Sequence, residues 1–289
     1  MPLKFSSLII TLSFFSISYS QTYNAGDTVL ANEYYQTGDS LLQVIGDYKA
    51  SINSFKKASN IYKNLGLEKK YVDCLNKLTE DYRRINQYDS AYVLAELVLS
   101  KVQKDSDEAA EAYEQLGYLE NLNYNVEKAL DFHHKALEIR QKNPHKNIVE
   151  IIDSYHGMAL VYDKKGNYQL AEKYNLLAID MCKKSPKKKY GELSNLYSNI
   201  GIVYFHSYNY FLALEYYFKA LSTYKRIYPS DHIYIASCYL NMGVVYLNIN
   251  QTTKAHENFD MSLNILIKSK VTNAKTALIY LNRASLKIS

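Results

Sequence analysis

The feature that most constrains the fold of this chain is an internal repeat with a period of 42 residues. A small residue returns at this interval in one column, and alanine returns in a second. The columns are Gly117, Ala159, Gly201 and Gly243, then Ala129, Ala171, Ala213 and Ala255. Self-similarity at such a period is typical of arrays in which each unit packs on the next. The repeat therefore predicts an elongated stack of similar units.

Apolar and aromatic residues inside each unit follow helical spacing. In one unit they form two groups, Tyr197, Ile200, Gly201 and Tyr204, then Ala213, Tyr217 and Ala220. The first group has the i, i+3, i+4, i+7 spacing of an amphipathic helix, and the second has the i, i+4, i+7 spacing of the same pattern. Short polar or glycine-containing segments, 166–168 and 208–210, separate the two helices. Pro144, Pro186 and Pro229 fall near unit ends, where a proline stops a helix. Each unit is therefore predicted to be a pair of helices.

This pattern resembles the tetratricopeptide repeat. That family places an aromatic residue, a Leu-Gly pair, a tyrosine, an alanine, an aromatic residue and an alanine in this order. The chain departs from it in having Tyr197 where the family favours tryptophan, and in its period of 42 rather than 34. The additional residues surround the proline, which is similar to the kinesin-light-chain-like subclass, as is the pair Asp231-His232. The resemblance implies an all-α, right-handed superhelical solenoid of antiparallel helix pairs.

The solenoid is predicted to hold about six repeats and a partial seventh. Four units are well marked, at 110–142, 152–184, 194–226 and 236–268. A weaker unit covers 72–104, and the N-terminal segment 21–71 holds a degenerate one. Residues 277–289 begin a seventh unit. This partial unit is expected either to cap the solenoid or to mark a fragment of a longer protein.

The N-terminal stretch has the pattern of a secretory signal peptide. Lys4 precedes an apolar run, and Ser18 and Ser20 stand at the −3 and −1 positions of a cut before Gln21. The run is too short to span a membrane comfortably. Residues 1–20 are therefore predicted to be removed, giving a periplasmic or secreted protein of the exported bacterial type, tethered to a membrane only if the chain continues. No stable membrane span is expected in residues 21–289.

Composition argues against several function classes. The net charge of +5 is small and interspersed, so a nucleic-acid partner is not expected. Three widely spaced cysteines form no CxxC motif. No HExxH, GxSxG or phosphate-binding loop is present. The pair His133-His134 points to different helix faces and is predicted to lie at the surface or to be partly packed. No enzyme activity, catalytic residue, cofactor or metal is expected.

A column of amide side chains is the strongest candidate for partner binding. It lies two residues before the small-residue column and comprises Gln115, Asn199, Asn241 and Asn282. In the family, this helix lines the concave face. The other candidates on or near that face are His156, Ser198, Phe205 and His206. Amides donate and accept hydrogen bonds, so this column either clasps the backbone of an extended peptide or only bridges adjacent helices. The groove is expected to be mixed and partly apolar.

The sequence thus predicts a non-enzymatic scaffold whose concave face binds a protein or an extended peptide. A second hypothesis is that the chain is the extracytoplasmic sensory region of a longer signalling protein, a sensor kinase or transcriptional regulator truncated at Ser289. A downstream apolar run of about 20 residues in the reading frame would support this second hypothesis.

Overall fold

A computed structural model describes residues 25–41, 47–144, 147–185 and 190–269. The predicted signal peptide 1–20, the partial unit 277–289 and Asn282 lie outside these ranges. The described residues form twelve α-helices and no strand. The helices are α1 Ala25–Ser40, α2 Tyr48–Asn64, α3 Glu68–Arg84, α4 Tyr88–Lys101, α5 Asp107–Leu122, α6 Val126–Gln141, α7 Ile148–Lys164, α8 Tyr168–Lys184, α9 Tyr190–His206, α10 Tyr210–Ile227, α11 Ile233–Asn248 and α12 Thr252–Lys268.

Consecutive helices pack against each other along the whole series. From α3 onward they form five pairs, α3–α4, α5–α6, α7–α8, α9–α10 and α11–α12. The first helices of neighbouring pairs also touch from α3 to α9. Three-residue turns join the helices within a pair, which makes them antiparallel neighbours. This arrangement is an all-α solenoid in which α3, α5, α7, α9 and α11 share one face. The fold prediction is confirmed.

Each turn within a pair depends on one residue in the left-handed backbone region. The equivalent positions are Asn86, Tyr124, Gly166, Tyr208 and Asn250, with φ between 58° and 78°. The backbone N–H of the next residue reaches back to close the last helical turn, as Asn209 does to the Tyr204 carbonyl at 2.8 Å. Gly66, at φ 67°, makes the same turn between α2 and α3, so α2 packs as closely on α3 as on α1.

A glycine on the first helix of a pair lets an aromatic ring of the second helix pack directly against the backbone of the first. A Cβ atom added to Gly201 would lie 2.7 Å from the Tyr217 ring, and one added to Gly243 would lie 2.5 Å from Phe259. Tyr217 is 2% exposed and Phe259 is fully buried. At Gly201 and Gly243 the glycine is therefore required by packing, since any side chain there would overlap a core ring.

The prediction that His133 lies at or near the surface is wrong. Its side chain is 0% exposed. His133 stands two repeat intervals before Tyr217, so the two residues occupy equivalent positions in their units. Its imidazole ring is therefore buried like the Tyr217 ring, and it lies between Gly117 and Gly157. His134, the other member of the pair, is exposed as predicted.

The buried apolar residues of the described helices fall into several clusters, and the largest of them extends from α7 to α12. Tyr204 and Tyr217 belong to it, and Tyr210 packs against it while partly exposed. Cys182 is buried in the same cluster. Among the described helices, none is both long and apolar enough to cross a membrane.

Candidate functional site: the concave groove

The first helices of five consecutive pairs line a groove with a volume of about 1070 Å³. Its walls come from α3, α5, α7, α9 and α11, with single residues from α6 and α10 reaching in. The second helices cover the opposite, convex side. The groove is open and runs across the repeats, so it has the shape of a site for an extended ligand rather than for a small molecule.

Two members of the amide column bridge neighbouring first helices. Arg83 Nε of α3 donates to Gln115 Oε1 of α5 at 2.7 Å. Asn199 Nδ2 of α9 lies 2.6 Å from His156 Nε2 of α7. Because the amide nitrogen is only a donor, the imidazole nitrogen accepts and must be unprotonated. Burial lowers the pKa of His156 to about 4, which keeps the ring neutral at neutral pH.

The structure brings five of the predicted site residues into the groove, namely Gln115, His156, Ser198, Asn199 and Asn241. Phe205 and His206 are not among the groove residues. They lie at the end of α9, where His206 Nδ1 is 2.9 Å from Asp163 Oδ1 and Phe205 packs near Tyr210. Asn282 is outside the described residues.

Sequence reasoning missed the carboxylates that line the groove. They form two rows, each repeated from one first helix to the next. We call Asp73, Glu111 and Asp153 the inner acidic row, and Glu108, Glu150 and Glu192 the outer acidic row. The inner row lies four residues before the amide column, and side chains four apart share a helix face. Applying that spacing to the repeat alignment would have found it.

Toward the C-terminal end the same positions carry uncharged side chains. Asn195 and Ser237 continue the inner row, and Tyr234 continues the outer row. Ile202 and Leu240 add apolar surface in this half. The expectation of a mixed, partly apolar groove fits α9 and α11, whereas the half built by α3, α5 and α7 is strongly charged.

Beneath the charged half, Glu114 lies at the centre of a buried polar cluster. It is 3% exposed and accepts from Arg140 Nη1 at 2.6 Å and from Ser154 Oγ at 2.9 Å. His133 Nδ1 lies 3.1 Å from its other oxygen. Desolvation acts to raise the pKa of Glu114, but His133, Arg140 and Ser154 outweigh it and lower the pKa to about 2. The cluster ties α5, α6 and α7 together.

The carboxylates of the inner row have the opposite electrostatic environment. Desolvation within the groove, reinforced by the neighbouring Glu114, raises the pKa of Asp153 to about 7. The pKa values of Asp73 and Glu111 are also raised, in both cases first by desolvation. These groups are therefore destabilised as anions, a condition that a bound cation would relieve.

Comparison with solved structures supports the fold. The chain resembles BtubC (BKLC) from P. vanneervenii, with a TM-score of 0.53 and 16% identity, over 87% of this chain and 94% of that one. It resembles a putative kinesin light chain from Podosopora anserina with TPR-like repeats, with a TM-score of 0.55 and 16% identity, over 70% and 97% of the chains. It also resembles a signal transduction ATPase with numerous domains from Pyrococcus horikoshii, with a TM-score of 0.58 and 17% identity, over 86% of this chain and 41% of that one.

At the level of sequence, no curated protein matches this chain. A family model for the tetratricopeptide repeat matches residues 108–184 and 192–268, which together make up more than half of the chain. These ranges contain α6, α7, α8, α10, α11 and α12 and almost all of α5 and α9, and they include the columns that showed the repeat. The chain therefore belongs to the tetratricopeptide repeat family, with repeats like those of kinesin light chains.

Proposed function

We propose that this protein is a non-enzymatic scaffold whose concave groove binds an extended segment of a protein partner. The observation that carries the proposal is the groove itself, which is continuous across five first helices and holds about 1070 Å³. Extended segments use such surfaces because each repeat contributes equivalent side chains at regular intervals. Membership of a repeat family typically made of interaction scaffolds supports the same conclusion.

Hydrogen-bonding side chains along the groove suit the recognition of a peptide backbone. Ser198 and Asn241 line it beside the bridged Asn199. Amides and hydroxyls match the N–H and C=O groups that an extended backbone presents. The bridges made by Gln115 and Asn199 place these two amides on the wall with fixed geometry, which lowers the entropic cost of binding.

The experiment is a selection of peptides from an unbiased display library against the purified chain. The affinity of the recovered peptides would then be measured by fluorescence anisotropy. Ser198→Trp adds bulk inside the groove and is expected to weaken binding by about tenfold or more, equivalent to about 1.4 kcal/mol. Met261→Trp, on the convex side of α12 and 47% exposed, is the matched control. Equal binding by both variants would place the site outside the groove.

We also propose that the protein acts outside the cytoplasm after removal of residues 1–20. The pattern around Lys4, Ser18 and Ser20 supports this. Expression of the full chain in a bacterial host, with N-terminal sequencing of the product, tests it. A product that begins at Gln21 in the extracytoplasmic fraction is expected, and a product that keeps Lys4 in the cytoplasm would contradict the proposal.

A second candidate function is a sensory region within a longer signalling protein. The similarity to the Pyrococcus horikoshii protein, which has a tetratricopeptide repeat sensor, favours it, although that similarity concerns the fold alone. The groove would then be the sensing surface. The genomic reading frame tests this candidate, since a stop codon directly after Ser289 would contradict it and a downstream membrane segment would support it.

A further inference from the structure

We infer that the partner segment is basic, and that its lysine or arginine side chains dock against the inner acidic row at Glu111 and Asp153. This inference rests on the proposed function and specifies the chemistry of the partner. It follows from the charge of the groove, from how its cations are engaged, and from where its neutral hydrogen-bonding groups lie.

The charge of the groove is opposite to that of the chain. Nine carboxylates and five cationic side chains line it, whereas the whole chain carries a formal charge of +5. The excess of carboxylates is concentrated on α5 and α7, in the middle of the groove. A concave surface of one sign concentrates ligands of the opposite sign, because the low-dielectric walls focus the field.

The cations of the groove are already engaged by protein groups. Lys69 pairs with Glu108 at 3.3 Å, and Arg84 pairs with Glu80 at 3.1 Å. Arg140 is held below the surface by Glu114.

The two remaining cations of the groove, both on α3, are engaged in other ways. Arg83 donates to Gln115 and stacks 4.6 Å from the Tyr118 ring centre. Lys77 has its pKa raised, in spite of desolvation, by Glu111 and then Glu80.

Three carboxylates of the groove lack an ion-pair partner in the described part of the chain. Within the described residues, Glu111, Glu150 and Asp153 make no ion pair. Glu111 and Asp153 occupy equivalent positions on adjacent first helices, so they face the same side of the groove. Other carboxylates add to the desolvation of both side chains, since Glu80 and Asp73 act on Glu111, and Glu114, Glu80 and Glu192 act on Asp153. A guanidinium or ammonium group docked beside either carboxylate would compensate it through a charge-assisted hydrogen bond.

The rest of the groove supports a basic peptide rather than a free cation. No group of three or more histidine, cysteine, aspartate or glutamate side chains in the described part of the chain could hold a metal ion. Beyond Asp153, the inner row continues as Asn195 and Ser237, which suit the backbone of a peptide. A segment with one or more basic residues followed by uncharged residues would therefore match the groove along its length.

The test uses the peptides recovered by the selection described above. Their composition is expected to be enriched in arginine and lysine over the unselected library. The double variant Glu111→Gln, Asp153→Asn is expected to weaken their binding by about tenfold at low salt, and the difference should shrink in high salt. The matched control, Glu138→Gln with Glu257→Gln, removes the same charge from exposed sites on second helices and should leave affinity unchanged.

The outcomes separate this inference from the proposed function. Recovered peptides that are neutral or acidic, or that bind the double variant unchanged while Ser198→Trp blocks them, would overturn the basic partner and leave the groove as the site. Peptides that bind all variants equally, or a selection that recovers none, would overturn both. Charge-dependent enrichment together with loss in the double variant supports both.

Discussion

At the scale of single residues, the buried charge of Glu114 has the largest expected effect on stability. Its carboxylate is almost fully buried and is the counter-ion of Arg140, which is 5% exposed. Breaking a buried ion pair by removing one member leaves the other charge desolvated and uncompensated.

We therefore predict that Glu114→Ala lowers the free energy of unfolding by about 3–5 kcal/mol. Glu108→Ala is the control, since Glu108 lies on the same helix and pairs with a lysine whose side chain is 81% exposed. Its loss should cost under about 1 kcal/mol. Urea denaturation followed by circular dichroism measures both. Equal, small losses would mean that the buried cluster contributes little net stability.

At the scale of helices and turns, two exposed tyrosines stand where the backbone favours glycine. Tyr124 and Tyr208 have φ of 63° and 60°, and Tyr208 is 78% exposed. A left-handed conformation costs most residues about 1–2 kcal/mol. Gly166 holds the equivalent turn without this cost, and Asn250 tolerates it because its short polar side chain suits the conformation.

Replacing Tyr208 with glycine should therefore stabilise the protein by about 1 kcal/mol, and Gly166→Ala should destabilise it by a similar amount. The loss of the Tyr208–Tyr210 edge contact is expected to be small, since the Tyr208 ring is exposed and the ring centres are 6.3 Å apart. Asn250→Gly is the control and should change little. The melting temperatures of the three variants, compared with wild type, test this prediction. A lower melting temperature for Tyr208→Gly would contradict it and would show that the exposed ring contributes to packing.

Most of the helical architecture could be predicted from sequence, because the same helical spacing of apolar residues recurs in several repeats. Gly201 lies against the buried Tyr217 ring, and the alanine column predicted from the repeat is fully buried. His133 could not be placed by residue type, since a histidine is more often exposed, and only its alignment with Tyr217 shows that it is core. The acidic rows were missed because a carboxylate on a helix normally indicates a solvent-exposed face. Their regular spacing from the amide column was the signal in the sequence that placed the inner row on the groove face.

At the scale of the whole molecule, the solenoid carries a gradient of charge along its groove. The inner row passes from the carboxylates Asp73, Glu111 and Asp153 to the uncharged side chains Asn195 and Ser237. The stack brings Asp153 close enough to Glu114, Arg140, Glu80 and Glu192 for their charges to act on it. Its ionisation is therefore a property of several repeats together, and it should be visible in the pH dependence of stability.

The last prediction concerns Asp153→Asn compared with wild type between about pH 4 and about pH 8. An unfolded aspartate has a pKa of about 4, whereas the pKa of Asp153 in the folded protein is about 7. Between these values the folded state binds more protons than the unfolded state, so wild type loses stability as the pH rises. The asparagine variant lacks this loss. Its advantage should grow from none at the acidic end to about 1 kcal/mol above neutrality, a value limited by screening at a solvent-contacting carboxylate.

His156 provides a control of opposite sign for the same titration. Its pKa is lowered to about 4 by burial, so wild type loses stability as the pH falls below the ordinary histidine value of about 6.5. Relative to wild type, His156→Gln should therefore gain stability toward acid, while Asp153→Asn gains it toward base. Urea midpoints of the three proteins across this range measure both slopes. Parallel curves for wild type and Asp153→Asn would show that Asp153 is not held above its usual pKa, and that the neighbouring repeats do not act on it.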